Sequence, residues 1–129
     1  MKNSMKRLAT LVILTIMTFS FTTAQENRKE INEGNSIVVW NCYKVTGSHE
    51  GTISIKSGHL NFDKGKLTGG SFEIDMPTIT VTDLEGENKG NLEGHLKSDD
   101  FFGVAKFPSA SLSFTNVKST GKNSYKVIG

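Results

Sequence analysis

The chain has 129 residues, which leaves room for one small domain once any targeting segment is removed. Its 15 basic and 13 acidic residues are scattered along the sequence, so it lacks the basic stripe that a nucleic-acid-binding surface needs. The single cysteine, Cys42, excludes an internal disulfide, and we expect it to be a small buried or half-buried side chain.

The first 24 residues have the pattern of a secretory signal peptide. Three basic residues precede an apolar run from Leu8 to Phe21 that contains no acidic residue, and small residues follow at 22–24. Threonine and serine interrupt the run, which is short for a spanning helix, so cleavage is favoured over a membrane anchor. We therefore expect residues 1–24 to be removed and the mature protein to be periplasmic or secreted, with no integral membrane span. Twelve basic and thirteen acidic residues would remain, a net charge of −1.

Residues 25–35 are mostly polar or charged. Ile31 is the only apolar residue among Glu, Asn, Arg, Lys and Gly. This composition predicts a flexible, solvated leader, because so few apolar side chains cannot offset the entropy lost on ordering. We expect the folded domain to cover residues 36–129.

From Ser36 onward, apolar and polar residues alternate in a way that indicates half-buried β-strands. Turns are predicted at 63–65 and 119–123, and Pro77 predicts a bend or bulge because proline cannot donate to a strand ladder. Short strands at regular spacing predict an all-β sandwich or barrel. The alternating apolar residues are Ile53, Ile55, Leu60, Phe62, Phe72, Ile74, Met76, Ile79, Val81, Ala110, Leu112 and Phe114, and a last strand begins at Tyr125.

The alternation stops between Asn91 and Ala105. Leu92 and Leu96 lie four residues apart, which is helical spacing. We predict two short helical turns here, the first weakened by Gly94 and the second ended by a later glycine, Gly103.

Two adjacent acids, Asp99 and Asp100, stand directly before two phenylalanines in this segment. A catalytic carboxylate pair must converge on one substrate atom, whereas adjacent residues diverge on a helical turn. We therefore predict that the acids cap the second helical turn at its N-terminus.

Patterns for catalysis, metal binding and cofactor binding do not occur in the sequence. His49, His59 and His95 have no paired spacing and no cysteine companions, and the motifs GxSxG and GxGxxG are absent. An isomerase or dehydratase with His49 or Asp75 as base is disfavoured, because no residue is apparent that would orient the base. We expect no enzymatic activity, no cofactor and no metal site.

Phenylalanines are spread over nearly every predicted element. The simplest interpretation is a hydrophobic core. A barrel of about eight strands has an interior that is either filled or holds one ligand, so the same residues can serve as core and as pocket wall. They are Phe62, Phe72, Phe101, Phe102, Phe107 and Phe114.

Two stretches of the chain resemble the YceI-like family of exported bacterial proteins. They read VTGSHEGTISIKSGHLNFDKGKLTGGSFEIDMPTITVTDLEG and GNLEGHLKSDDFFGVAKFPSASLSF, and the likeness runs from Trp40 to Gly129. The resemblance implies a lipocalin-like antiparallel up-and-down barrel with a short helical insertion. It also implies an apolar interior that binds a polyisoprenoid, such as an isoprenoid quinone or a polyprenyl phosphate, without catalysis.

Carried onto this chain, the resemblance implies that Phe101 and Phe102 point inward near the barrel mouth. The expected contacts to the lipid head group at the mouth are His49, His95 and Lys97. The expected lining of the apolar cavity is Ile53, Ile55, Phe62, Phe72, Ile74, Met76, Phe101, Phe102 and Phe114.

The family normally continues with further strands beyond the position of Gly129. About six strands are predicted here, whereas closure around a ligand needs about eight. We therefore expect a barrel that is incomplete at the C-terminus, with residues 125–128 as an exposed edge strand. The alternative hypothesis is a non-binding structural or interaction module of the same fold, whose open edge at Tyr125 pairs with another chain, for example in a homodimer.

Overall fold

The structure, a computed structural model, describes residues 27–129. The predicted signal peptide lies outside the described residues. A short 3-10 helix spans Glu33–Asn35, and one α-helix, α1, spans Gly86–Lys97. The strands are β1 (Asn27–Glu30), β2 (Val38–Lys44), β3 (Gly47–Asp63), β4 (Lys66–Val81), β5 (Ser109–Ser113), β6 (Asn116–Gly121) and β7 (Ser124–Ile128).

Five strands form one antiparallel sheet that curls into a half-barrel. The long strands β3 and β4 lie at its centre; β5 pairs with β4, while β1 and β2 both pair with β3. Strands β6 and β7 form a separate hairpin, and the N–H of Thr115, which directly precedes β6, extends the hairpin's ladder by donating to the Ile128 carbonyl. The predicted all-β, lipocalin-like fold class is confirmed.

The β3–β4 hairpin contains the turn and the bulge that the sequence predicts. Lys64 and Gly65 connect the strands with φ angles of 48° and 77°, and two positive values in a two-residue loop are typical of a type I′ turn. Pro77 lies in an irregular part of β4, opposite a register shift between Thr52 and Ser54 on β3. Bulges of this kind bend and twist a strand, which favours the curling of the sheet.

The N-terminal segment differs from the sequence prediction. Residues 27–30, within the predicted flexible leader, form β1 and pair with residues 59–62 of β3. All four side chains of β1 are exposed, as their polar composition indicates. The backbone nevertheless pairs, because strand hydrogen bonds do not depend on side-chain polarity.

The helix also differs from its prediction, since one continuous α1 replaces two short turns and begins five residues earlier, at Gly86. Leu96 is buried and Leu92 packs against the core, as their spacing predicts. The Glu93 carboxylate accepts a hydrogen bond of 2.9 Å from the backbone N–H of Val81. This tertiary bond ties α1 to the end of β4 and has no signature in the local sequence.

The prediction that Asp99 and Asp100 cap a second helical turn is wrong. Ser98 is the C-cap of α1, where its N–H bonds to the carbonyls of the helix's last turn. The chain then turns back, with the Gly103 N–H donating to the Ser98 carbonyl at 2.8 Å. Asp99 forms an exposed ion pair with Lys106 at 2.6 Å instead of a cap. The acids therefore follow a helix end, where the dipole does not favour negative charge.

The hydrophobic core lies between one face of the sheet and α1, with a contribution from the segment that follows the helix. Val81 at the end of β4 is its most buried member, with no exposed surface. Its other members are Ile53, Met76, Ile79, Leu96 and Val104, and Val38, Trp40, Ile74, Leu84 and Leu92 pack around them.

Candidate functional site

One face of the half-barrel is apolar across β3, β4 and β5. Cross-strand partners point to the same side of a sheet, and the register places Ile55, Ile74 and Ala110 in one row and Phe72 beside Leu112 in the next. Ala110 is exposed and the other four are half-buried. The described chain therefore presents these side chains as a partly open apolar face, which we call the inner face.

Phe72 and Phe114 lie at the centre of the inner face. Their ring centroids are 5.7 Å apart with an interplanar angle of 85°, the edge-to-face arrangement that aromatic pairs prefer. Gly70 leaves space for this pair, because a Cβ there would lie 3.2 Å from the Phe114 ring and 2.5 Å from the His59 carbonyl. The two predicted lining residues therefore contact each other and join β4 to the segment that follows β5.

The predicted lining residues at the helical end of the sheet are core residues. Ile53 and Met76 are 9% and 8% exposed and pack with Leu96 of α1. Their atoms are covered by the protein itself, so they do not contribute to the accessible surface of the inner face. Ile55, Phe72 and Ile74 are the ones that remain partly accessible.

Phe62 lies near the opposite end, close to the β3–β4 turn. The ammonium of Lys29 is 5.3 Å from the Phe62 ring centroid, which is cation–π distance. Lys29 reaches this position because β1 pairs it with Leu60. This positive charge beside the inner face was not predicted, because nothing in the sequence indicated that β1 joins the sheet.

Phe101 and Phe102 are largely exposed in the described part of the chain. They are 54% and 42% exposed, and their rings contact each other edge-to-face at 4.7 Å, with His95 5.9 Å from Phe101. The turn after α1 directs Val104, 7% exposed, into the core instead. The second helical turn, on which the expected orientation of the two phenylalanines depended, does not form.

His49 is held by a carboxylate. Its Nδ1 lies 2.8 Å from Asp83 Oδ2, and the other Asp83 oxygen accepts a bond from the backbone N–H of Glu50. The hydrogen bond from His49, together with that backbone bond, holds the pKa of the Asp83 carboxyl below its usual range. The pair ties the start of β3 to the segment that follows β4.

The stability of the protein should depend on this pair in acid. Because the folded pKa of Asp83 is lowered, the pair stabilises the protein above the unfolded pKa and the contribution is lost as the pH falls through the folded pKa. We expect the Tm of the wild type to fall more steeply than that of Asp83→Asn between about pH 5 and about pH 3. Thermal denaturation followed by circular dichroism checks this. Asp100→Asn, at an exposed carboxylate, should follow the wild type; parallel curves for Asp83→Asn and the wild type would contradict the assignment.

The three residues predicted at the mouth are therefore positioned by different partners. His49 is held by Asp83, His95 contacts Phe101 on the exposed side of the turn, and Lys97 is half-buried at the end of α1. The Lys97 carbonyl accepts a bond from the N–H of Val104. Lys97 thus helps to close the turn through its backbone.

The opposite face of the sheet is polar and carries a shallow groove of about 320 Å³. Within it, hydrogen bonds from Ser109 and Lys56 hold the pKa of Glu73 below its usual range. Sequence reasoning missed this groove, because alternating serines are ordinary on a solvent-facing strand. Besides Phe72, whose side chain is on the inner face, its lining is Arg28, Glu30, Ser57, Gly58, His59, Ser71, Glu73, Ser111 and Ser113.

Across residues 27–129, no three His, Cys, Asp or Glu side chains are grouped so that they could hold a metal ion. None of the helices described in that range has both the length and the apolar character needed to cross a membrane.

The whole described chain matches a known domain. Residues 23–129 match the YceI-like domain. A UPF0312 protein of Azotobacter vinelandii is 32% identical over 79 residues, covering 61% of this chain and 39% of the relative. A UPF0312 protein of Shewanella denitrificans is 33% identical over 72 residues, covering 56% of this chain and 36% of the relative. The matched region thus spans well under half the length of these curated relatives. The domain match, together with the curled antiparallel sheet, shows that the chain belongs to the YceI-like domain family.

Proposed function

We propose that the protein binds a polyisoprenoid, of the isoprenoid quinone or polyprenyl phosphate type, along the inner face of its half-barrel. In this role it carries, stores or sequesters the lipid outside the cytoplasm and performs no catalysis. The observation that supports this most directly is the partly accessible apolar surface shared by Ile55, Phe72, Ile74, Ala110 and Leu112. The signal-peptide pattern of residues 1–24 supports the extracytoplasmic location.

An apolar face of this kind can hold a long hydrocarbon without many polar contacts. Each CH₂ group withdrawn from water contributes about 0.8 kcal/mol, so a chain of several isoprene units gains most of its binding free energy from burial. The head group then determines orientation more than affinity. His49, His95 and Lys97 remain the proposed head-group contacts.

The fluorescence of Trp40, the only tryptophan of the chain, gives a direct test. Trp40 packs against the same core as Ile74, and quinones quench tryptophan emission. We expect saturable quenching by ubiquinone and only linear, collisional quenching by the same benzoquinone head group without its tail. Protein purified from its native envelope should also release an isoprenoid lipid on solvent extraction, detected by mass spectrometry. Linear quenching by both quinones together with a lipid-free extract would refute the proposal.

The second candidate function is an interaction module without a lipid. It is favoured by the position of β7, which pairs with β6 alone within residues 27–129, and by the exposure of Ile128. Against it, the Tyr125 hydroxyl accepts a bond from the Leu67 N–H at 3.4 Å, which anchors this hairpin to β4. An empty extract combined with self-association that Tyr125→Ala disrupts would favour this candidate.

A further inference from the structure

Two turns of the chain meet at one end of the sheet. The first connects β3 to β4 at residues 63–66, and the second connects β6 to β7 at residues 121–124. They are neighbours, because the Tyr125 hydroxyl accepts a hydrogen bond of 3.4 Å from the Leu67 N–H. Helix α1 follows the other end of β4, so the two turns and the helix lie at opposite ends of the sheet.

The fold concentrates lysines at the end with the two turns, although basic residues are scattered along the sequence. All five are exposed, and none of them belongs to an ion pair formed within residues 27–129. Asp63, opposite Lys66, is the one carboxylate among residues 63–66 and 116–128. We call this surface the basic end, and its lysines are Lys64, Lys66, Lys118, Lys122 and Lys126.

Two lysines of the basic end lie directly opposite each other. The register of the β6–β7 hairpin pairs Lys118 with Lys126, and like charges at opposed positions of two strands destabilise the pairing. A carboxylate at either position would remove this repulsion, yet residues 101–129 contain no acidic residue. The hairpin thus keeps a positive charge that weakens it, and departures of this kind from local stability are typical of functional surfaces.

The helical end of the sheet carries the opposite charge. Residues 83–100, which include α1, contain six carboxylates and two lysines. The described protein is therefore positive at one end and negative at the other. An anionic surface would attract the basic end and repel the helical end, so it would orient the protein as well as bind it.

We propose that the basic end docks on a membrane surface that contains anionic phospholipids. Clusters of about four to eight basic residues are typical of contacts with anionic lipid head groups, and each lysine near the surface strengthens binding about fivefold. In the proposed extracytoplasmic location, the phosphates of such lipids form a negative surface that the protein meets. The charge of the basic end is complementary to that surface.

Nucleic acid is another common partner of a basic surface, and it matches the basic end less well. The five residues are all lysines, which act as compact point charges, whereas arginine supplies the planar fork that holds a phosphate or a base edge with two hydrogen bonds. The signal-peptide pattern of residues 1–24 also directs the protein away from the cytoplasm. A lipid surface, whose negative charge is spread over many head groups, suits these lysines better.

Docking goes beyond the proposed lipid binding and can fail separately from it. The lysines of the basic end lie on two turns and the β6–β7 hairpin, whereas the proposed lipid surface is the inner face of β3, β4 and β5. Loss of docking should therefore leave the quenching of Trp40 by ubiquinone saturable when no vesicles are present.

Cosedimentation of the purified protein with lipid vesicles tests the docking. We expect binding to vesicles of phosphatidylglycerol and phosphatidylcholine at about 0.1 M salt, where the Debye length is about 10 Å, and release at about 1 M salt, where it is about 3 Å. Vesicles of phosphatidylcholine alone should bind at least about tenfold more weakly, because they have no net charge.

Lys118→Glu separates docking from stability. The glutamate would attract Lys126 instead of repelling it, so the Tm should not fall. One charge of the basic end is reversed, so the affinity for phosphatidylglycerol vesicles should fall by more than about tenfold. Lys44→Glu is the matched control, because Lys44 is exposed and lies in the pair that closes the β2–β3 turn, at the other end of β3. The affinity of Lys44→Glu should stay within about twofold of the wild-type value.

Several results would overturn the proposal. They are failure of the wild type to bind phosphatidylglycerol vesicles at about 0.1 M salt, equal binding to charged and uncharged vesicles, and equal losses of affinity in Lys118→Glu and Lys44→Glu. Tighter binding to duplex DNA than to phosphatidylglycerol vesicles would also overturn it, because the partner would then be nucleic acid.

Discussion

Ala110→Glu is expected to lower the affinity for an isoprenoid lipid by at least about tenfold. Ala110 is exposed and lies on the inner face, directly across from Ile74. A carboxylate there would have to lose water against the lipid chain without gaining a partner, and burying an unpaired charge is costly. Because the side chain is exposed in the lipid-free protein, the substitution should leave the fold intact.

Ser113→Glu is the matched control for this variant. Ser113 lies on the same strand and is also exposed, but its side chain is on the polar face opposite Ser71. The affinity of the Ser113→Glu variant for ubiquinone, measured by quenching of Trp40 fluorescence, should stay within about twofold of the wild-type value. Equal losses of affinity for ubiquinone in the two variants, with unchanged circular dichroism, would indicate a general effect of charge on β5. This result would exclude the inner face as the binding surface.

Gly51→Ala is expected to destabilise the protein by about 3 kcal/mol or more. Gly51 is buried in β3 between Trp40 on β2 and Val81 on β4. A Cβ at this position would overlap the carbonyl oxygen of Thr80 and the ring of Trp40. Neither can move easily, because paired strands on both sides fix the backbone and the ring packs against the core.

Urea denaturation followed by Trp40 fluorescence measures this effect, and Gly90→Ala is its control. Gly90 lies in α1 with nothing within 4 Å of a Cβ, so alanine should raise the free energy of unfolding by about 0.5 to 1 kcal/mol. The same chemical change is thus expected to act in opposite directions at the two positions. A loss of less than about 1 kcal/mol in Gly51→Ala would contradict the close packing of β2, β3 and β4.

Much of the candidate site could be predicted from alternation. The period of two placed Ile55, Phe72 and Ile74 on one face, and the structure has them there because successive side chains of a strand point to opposite sides. Alternation could not separate Ile53 and Met76, which α1 covers, from residues that remain accessible. Coverage depends on where the helix packs, and this is determined in part by the bond between Glu93 and the N–H of Val81, twelve residues apart.

The segment after α1 shows most clearly what local sequence patterns could not predict. Its composition suggested a capped helical turn with Phe101 and Phe102 inside, yet Ser98 ends the preceding helix and Val104 occupies the buried position. Whether such a segment caps a new turn or closes the preceding helix depends on tertiary packing, and here Val104 is the residue that packs into the core. The two phenylalanines were consequently placed at the surface beside His95.

By itself, the sequence determined the all-β class, the turn at Lys64-Gly65, the bulge at Pro77 and the membership in the YceI-like family, because each depends on residues close together in the chain. The tertiary structure alone decided that β1 joins β3, that Asp83 holds His49, and that Ile37, Val39 and Tyr43 are exposed on the side of β2 opposite to Trp40. These features depend on which distant segments become neighbours, and the free energy of such contacts is not encoded in any short stretch of residues.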